Sequence, residues 1–568
     1  MAKKARKKAK AKAAGMDFFG GGGGLLADVF SGAPATEQKV PTGEAKGPAV
    51  EKGPLTIAAM ETAKPAAPHV EKGPVTGKVI DKYGNVEIIS VETEPTPYYK
   101  TALPELGAKE IALLEKVKDT AIEEVRIDPE KLSDAAERNR IFTQAVFKIL
   151  ERESRAMRLP PGRMRQLGEL AVRDMIGFGL LDPLLADDRL EDIMVTAVGK
   201  PVYVYHRKHG MCHTNIIFNN EDSIKYLIDK MARVVGRRID QQTPLLDARL
   251  PDGSRVNATI PPVSLDGPTI SIRKFRKDPL SVIDIINFNT LSTDLAAFLW
   301  FAVDGLGSKP ANLLLSGGTG CGKTTMLNAA TNFVPGSERI ISIEDTAELQ
   351  LPHKHWVRME TRPPNVEGKG EITMDDLVKN ALRMRPDRMV VGEVRGPEAR
   401  TMFTAMNTGH DGCMGTVHAN SAAETVTRLT EAPMSVPAIM IPALDLIVMQ
   451  QRLYHRQKGQ IRRVTEVAEV SGIEGGQPQL SRIFKWNAKV DKLESTGVPS
   501  RLKRTIGDYA GISGHDVEME INKRGAVLEW MKERGIRNVF EVGKIIQDYY
   551  RDPESIMKRV KTERGKSS

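Results

Sequence analysis

The chain has 568 residues, 40% hydrophobic and 27% charged, which is enough for large cores and two or three domains. Its three cysteines, Cys212, Cys321 and Cys413, are too few and too scattered for a disulfide framework or a four-cysteine zinc site. The formal charge of +9 includes seven Lys or Arg within the first fifteen residues, which hold no acid; without them the body stands at +2, which argues against a nucleic-acid-binding core.

Residues 1–100 are rich in Lys, Ala, Gly, Pro and Glu and show little helical periodicity, so they read as a disordered basic, Gly- and Pro-rich tail. Gly20 to Gly24 interrupt the apolar stretch after Phe18 and Phe19, against a secretory signal. One exception lies near Val79 to Val91, where the sequence alternates like a hairpin around Tyr83-Gly84-Asn85. Residues 101–276 read as a helical and α+β domain. Its first part is helical, with Ile141, Ala145, Val146 and Ile149 on one face; later come alternating runs at 201–206 and 268–275 and a helix around Ser223 to Val235.

Residues 277–470 change character. Short apolar runs at 311–317, 339–345 and 387–393 are separated by helical stretches, the pattern of a parallel sheet covered on both faces. Residues 471–568 read as an appended helical region, with helices over 516–561 that place Val527, Leu528 and Met531 on one face and Val542, Ile545 and Ile546 on another. No run approaches the roughly 18 apolar residues a membrane-spanning helix needs, and no repeat of solenoid period is present.

Four segments carry chemistry. GGTGCGKT, Gly317 to Thr324, follows an expected strand and precedes an expected helix, the context that makes a phosphate loop. Gly317, Gly318, Thr319, Gly320, Cys321 and Gly322 would bring backbone N–H groups onto phosphate oxygens, Lys323 would reach the β- and γ-phosphates, Thr324 would ligate Mg2+, and Thr325 continues the helix N-terminus. RPDRMVVGEVRG, Arg385 to Gly396, reads as the strand beside that loop, with Glu393 at its C-terminal end to hold Mg2+ or its water. ISIEDTAELQLP, Ile341 to Pro352, ends a neighbouring strand in Glu344, Asp345 and Glu348; Glu348 is the candidate to orient an attacking water and Glu344 the one to cap a loop. TGHDGCMGTVHANS, Thr408 to Ser421, holds His410 and His418, polar sensors of phosphate state or hydrogen-bonded core residues, and not a zinc site.

In this order and at these spacings the segments resemble the type II and type IV secretion ATPase superfamily, the motors of type IV pili, type II secretion and the archaellum. Their counterparts there are Walker A (Gly317 to Thr324), the aspartate box (Ile343 to Glu348), Walker B (Asp387 to Arg395) and the histidine box (Thr408 to His418). The likeness extends over roughly 140–560, and 517–560 is similar to the C-terminal helices of archaeal members, with no tetracysteine insertion.

The resemblance implies a RecA-like P-loop domain behind a smaller α+β N-terminal domain. It further implies ATP and Mg2+ as cofactors, a homohexamer, and a polytopic membrane platform protein as partner. The expected location is cytoplasmic, peripheral on the inner face of the cell membrane, with the basic tail as a second membrane contact. Arginines of the family's N-terminal domain reach the nucleotide phosphates, which points to Arg255 and Arg273, unless each binds an acidic neighbour. The expected activity is ATP hydrolysis that powers filament assembly or secretion; the alternatives are a conjugation-type DNA-transfer ATPase and a nucleotide-binding scaffold without turnover.

Overall fold

The computed structural model describes residues 69–70, 77–103, 106–124, 135–276, 278–364, 368–456 and 459–564. The expectation of disorder for 1–68 lies outside them. Residues 78–101, assigned above to the tail, are strands instead: Lys78–Tyr83, Val86–Ser90 and Tyr98–Thr101 join the first sheet and bury Ile88 and Tyr99. The hairpin expected near Val79 to Val91 is the Lys78–Tyr83 and Val86–Ser90 pair, turning at Gly84 with φ 49°; Tyr98–Thr101, only four residues long, carried no such alternation.

Helices Ala108–Glu124, Ala135–Glu153 and Pro161–Met175 close on one another through Val117, Val146, Leu150 and Leu167. The first sheet has ten strands among the described residues. Its Arg255–Thr259 and Thr269–Arg273 strands alternate strictly, and Leu190–Val195 does so from Asp192 onward. Ile193, Val256, Ala258, Ile270 and Ile272 share a core with Ile224, Ile228 and Met231 of helix Glu221–Val234. The alternate positions, Asp192, Arg255, Asn257, Ser271 and Arg273, line an open cleft of about 320 Å3 on the other face.

The second sheet runs Trp356–Glu360, Ile340–Glu344, Arg388–Val394, Met414–Val417, Leu313–Ser316, Leu446–His455, Gly459–Glu474, Gln477–Asn487, Lys492–Ser495. The first six strands are parallel and the last three extend the sheet as antiparallel neighbours. Every residue of Leu313–Ser316 and Met414–Val417 is buried, as parallel strands covered on both faces require. On one face Leu313, Leu315, Val390 and Val448 meet the helix Thr293–Asp304, apolar from Leu295 to Val303, and the C-terminal helices Gly514–Glu533 and Val539–Arg551. Val527, Leu528, Met531, Val542, Ile545 and Ile546 all enter this core. On the other face Leu314, Ile341, Val391 and Ile447 meet helices Met374–Ala381 and Glu398–Asn407.

Strand order corrects one expectation. The Arg388–Val394 strand does not lie beside the phosphate-loop strand; Met414–Val417 is inserted between them and pairs with both. Sequence separation cannot reveal such an insertion, because all these strands read alike as short apolar runs. Ion pairs tie the two sheets together: Arg249 Nη1 lies 3.0 Å from Glu360 Oε2, and Arg255 Nη1 lies 3.5 Å from Glu348 Oε1.

Candidate functional site

The loop after Leu313–Ser316 is shaped by its glycines. A Cβ at Gly317 would sit 2.1 Å from the Gln450 carbonyl oxygen, which no side chain tolerates. Gly320 and Gly322 hold φ of 70° and 100°, in the left-handed region, and Gly322 opens helix Lys323–Thr331. Thr319 and Gly320 are exposed at the tip, Cys321 is buried with its thiol pKa raised by burial, and Thr324 and Thr325 are half-buried in the first helical turn. The helix N-terminus and the loop amides thus converge at the C-terminal edge of the parallel sheet, where anions bind.

Lys323 is only 8% exposed. Its ammonium donates to the Gly317 and Gly318 carbonyl oxygens at 2.9 and 3.0 Å and lies 3.3 Å from His418 Nε2. Burial lowers its pKa, while the nearby Cys321 and Glu393 act in the opposite direction. His418 leaves the end of the inserted strand and also contacts Glu393, with Nε2 3.1 Å from Oε1. Burial, and then the Lys323 charge, lower its pKa; Glu393 pulls it back up. Glu393 Oε2 is 3.4 Å from Arg395 Nη2, which in turn pairs with Asp345. Lys323, His418, Glu393, Arg395 and Asp345 therefore form one polar chain across three strand ends.

Glu344 and Glu348 meet different surroundings. The Glu344 carboxylate is 2% exposed and accepts hydrogen bonds from the Glu348 and Leu349 N–H groups at 2.8 and 3.0 Å, so it caps the loop that presents Glu348. Burial lifts its pKa to about 7. Glu348 is turned toward the first sheet, and the Arg255–Glu348 pair is 38% and 35% exposed on its two sides. At that exposure an ion pair is worth about 0–1 kcal/mol, weak enough to exchange for another partner.

Two candidates stand apart. Arg273 is opposite Arg255 and Asp192 in register and shares their cleft; among the described residues it makes no hydrogen bond to the loop, and its charge lowers the pKa of Asp192 against the stronger effect of burial. His410 precedes the inserted strand, whereas His418 follows it, so a strand's length separates His410 from Lys323. The surroundings of His410 belong to the opposite edge of the sheet: its carbonyl accepts from Cys413 Sγ, and Asn312, ahead of the loop strand, receives the Cys413 N–H. Two residues at the site carried no motif signal. Arg462 Nε donates to the Gly320 carbonyl at 3.0 Å, and Arg452 Nη1 lies 3.2 Å from where a Gly320 Cβ would be.

A phosphate loop on a parallel strand, with acids on the ends of strands beyond an inserted neighbour, defines a RecA-like P-loop fold. The chain belongs to the family described as type II/IV secretion system protein, which residues 177–489 match. An uncharacterized protein of Methanocaldococcus jannaschii is 34% identical over 556 residues, covering 67% of this chain and 77% of its own. The conjugal transfer protein TrbB of Rhizobium radiobacter is 29% identical over 304 residues, covering 52% and 88%. Among solved structures, the pilus retraction motor PilT with bound ADP is 20% identical, with a TM-score of 0.37 over 52% of this chain and 83% of that one.

Proposed function

We propose that the chain is an ATP-hydrolysing motor, and the observation that carries this is the joining of Lys323, His418 and Glu393 at the mouth of the phosphate loop. A buried ammonium held by loop carbonyls is poised to exchange them for phosphate oxygens, which are stronger acceptors. At Gly317 the Gln450 carbonyl and Cys321 Sγ pack so close that only glycine fits, which holds the loop in this shape.

Thr324 and Glu393 supply oxygen donors of the kind Mg2+ takes. Among the described residues there is no cluster of three or more metal-ligating side chains, and Mg2+ ordinarily needs only one or two from protein, with water and substrate phosphates as the rest. When bound, the ion would neutralise charge developing on the phosphates. Glu348, its backbone fixed by Glu344, orients the water that attacks the γ-phosphorus. His418 links Lys323 to Glu393 and so senses the phosphate between them.

Arg255 provides the mechanical link. Without γ-phosphate it rests on Glu348; with it, Arg255 turns to the phosphate, releases Glu348 to its water and draws the first sheet toward the second. Arg273 lies in the same cleft as a second phosphate-sensing candidate. In a homohexamer docked on a membrane platform protein at the cytoplasmic face, this cycle would drive assembly of a pilus-like filament, an archaellum or a secretion complex. No helix among the described residues is long and apolar enough to cross a membrane, so the force would pass through a partner.

A conjugation-type DNA-transfer role is the second reading, favoured by the likeness to TrbB. Phosphate release by the full chain, with and without DNA and with and without vesicles, tests both. Mg2+-dependent turnover that disappears in Lys323→Ala supports the motor. Stimulation by DNA alone would move the conjugation role to first place, and nucleotide binding without turnover under every condition would replace both by a scaffold.

A further inference from the structure

The strands Leu446–His455 and Gly459–Glu474 carry three arginines that meet different surroundings. Arg463 is buried and donates through Nε and Nη2 to both carboxylate oxygens of Asp491, at 2.7 and 2.8 Å. Arg452 and Arg462 face each other directly in register, exposed, and neither has a carboxylate partner among the described residues. Like charges opposite one another across a strand pair destabilise it. Such a pair is expected where an anion completes it.

Their position says which anion. Arg462 Nε donates to the Gly320 carbonyl at 3.0 Å, and its Cδ lies 3.6 Å from where a Gly322 Cβ would be; Arg452 Nη1 is 3.2 Å from the corresponding point at Gly320. Gln450, two residues before Arg452 and so on the same strand face, donates from Nε2 to the Cys321 carbonyl at 2.7 Å, which fixes this face against the loop. The Leu446–His455 strand also pairs with the loop strand on the side away from Met414–Val417 and Glu393. The acids flank the loop on one side and the arginines on the other.

We propose that Arg452 and Arg462 form a clamp for the phosphates of a nucleoside di- or triphosphate held by Gly317 to Thr324, an inference that rests on the nucleotide-binding reading above. Planar guanidinium forks suit phosphate oxygens, and an anion between the two converts their repulsion into attraction. Because the clamp stands away from Glu348 and Glu393, it grips phosphates that remain in the product. It therefore sets affinity for ADP and ATP alike, and KM more than kcat.

Titration calorimetry on the full chain tests this with ADP and with inorganic tripolyphosphate as probes. Arg452→Ala, at an exposed side chain with no hydrogen bond to lose, should weaken both ligands about tenfold to a hundredfold, with Arg452→Lys recovering part of the loss. Arg462→Ala should do the same, and in both variants KM for ATP should rise far more than kcat falls. Wild-type affinity for both probes in Arg452→Ala would overturn the clamp. So would weakened ADP with unchanged tripolyphosphate, which would mean a base contact, or loss of sedimentation with phosphatidylglycerol vesicles while ADP affinity holds, which would mean a lipid site. A wild-type chain that binds neither probe would overturn the nucleotide reading itself, and the clamp with it.

Discussion

Replacing Glu344 by Gln should make the chain's stability less sensitive to pH, by an amount the structure sets. The carboxylate is 2% exposed, both loop N–H bonds fall on Oε2, and Oε1 has no partner among the described residues. Burial raises its pKa from 4.5 to about 7, against the opposing pull of the two N–H groups. Between those values the folded chain binds more protons than the unfolded one. The stabilisation linked to this group is therefore complete below pH 4.5 and is lost as pH rises through 7. At about 1.4 kcal/mol for each tenfold change in proton affinity, the displacement amounts to about 3 kcal/mol. Glu344→Gln keeps an acceptor for both N–H groups and removes the ionisation. Urea unfolding followed by tryptophan fluorescence at pH 5 and pH 8 should show the variant gaining about 2.5 kcal/mol on the wild type across that interval, since pH 5 already lies above the unfolded value. A difference that stays flat, or shrinks as pH rises, would mean that Glu344 is not held protonated by burial.

Gly322→Ala places a Cβ 3.0 Å from Gln450 Nε2 at φ 100°, and should cost about 1–3 kcal/mol, read as a lower Tm together with weakened nucleotide binding. Arg524 and Asp304 pair at 2.7 Å with both side chains 3% exposed, so Arg524→Met should destabilise by about 3–5 kcal/mol, and adding Asp304→Asn should restore part of that in the same unfolding assay. His418→Ala should lower kcat for ATP hydrolysis sharply, while His410→Ala, at the opposite end of the inserted strand, should leave kcat unchanged.

The phosphate loop was legible because its glycines, Lys323 and Thr324 are contiguous and their chemistry is local. The strands at 313–316, 340–344 and 388–394 were legible as apolar runs, and the C-terminal helices through the periodicity of Val527, Leu528, Met531, Val542, Ile545 and Ile546. Order within the sheet was not, since the insertion of Met414–Val417 beside the loop is decided by packing and not by any one strand's sequence. The antiparallel extension over 459–495 also escaped, because its long strands break alternation, as in the buried run Val467 to Val470, and so carry no clean period of two. Arg452 and Arg462 were invisible, being more than 130 residues from the glycines they approach. His410 and His418 looked equivalent in a small-residue segment, yet a four-residue strand between them sends one to the phosphate loop and the other to the far edge.

If Glu348 serves the chemical step after ATP has bound, a quench experiment will show it. Radiolabelled ATP is loaded onto the full chain in limiting amount, the mixture is stopped in acid at intervals, and bound ATP and ADP are separated. Wild type should convert its bound ATP to ADP, Glu348→Gln should bind ATP as tightly and keep it uncleaved, and Lys323→Ala should fail at binding. Cleavage by Glu348→Gln at the wild-type rate, or ATP held intact by the wild type, would contradict that role for Glu348.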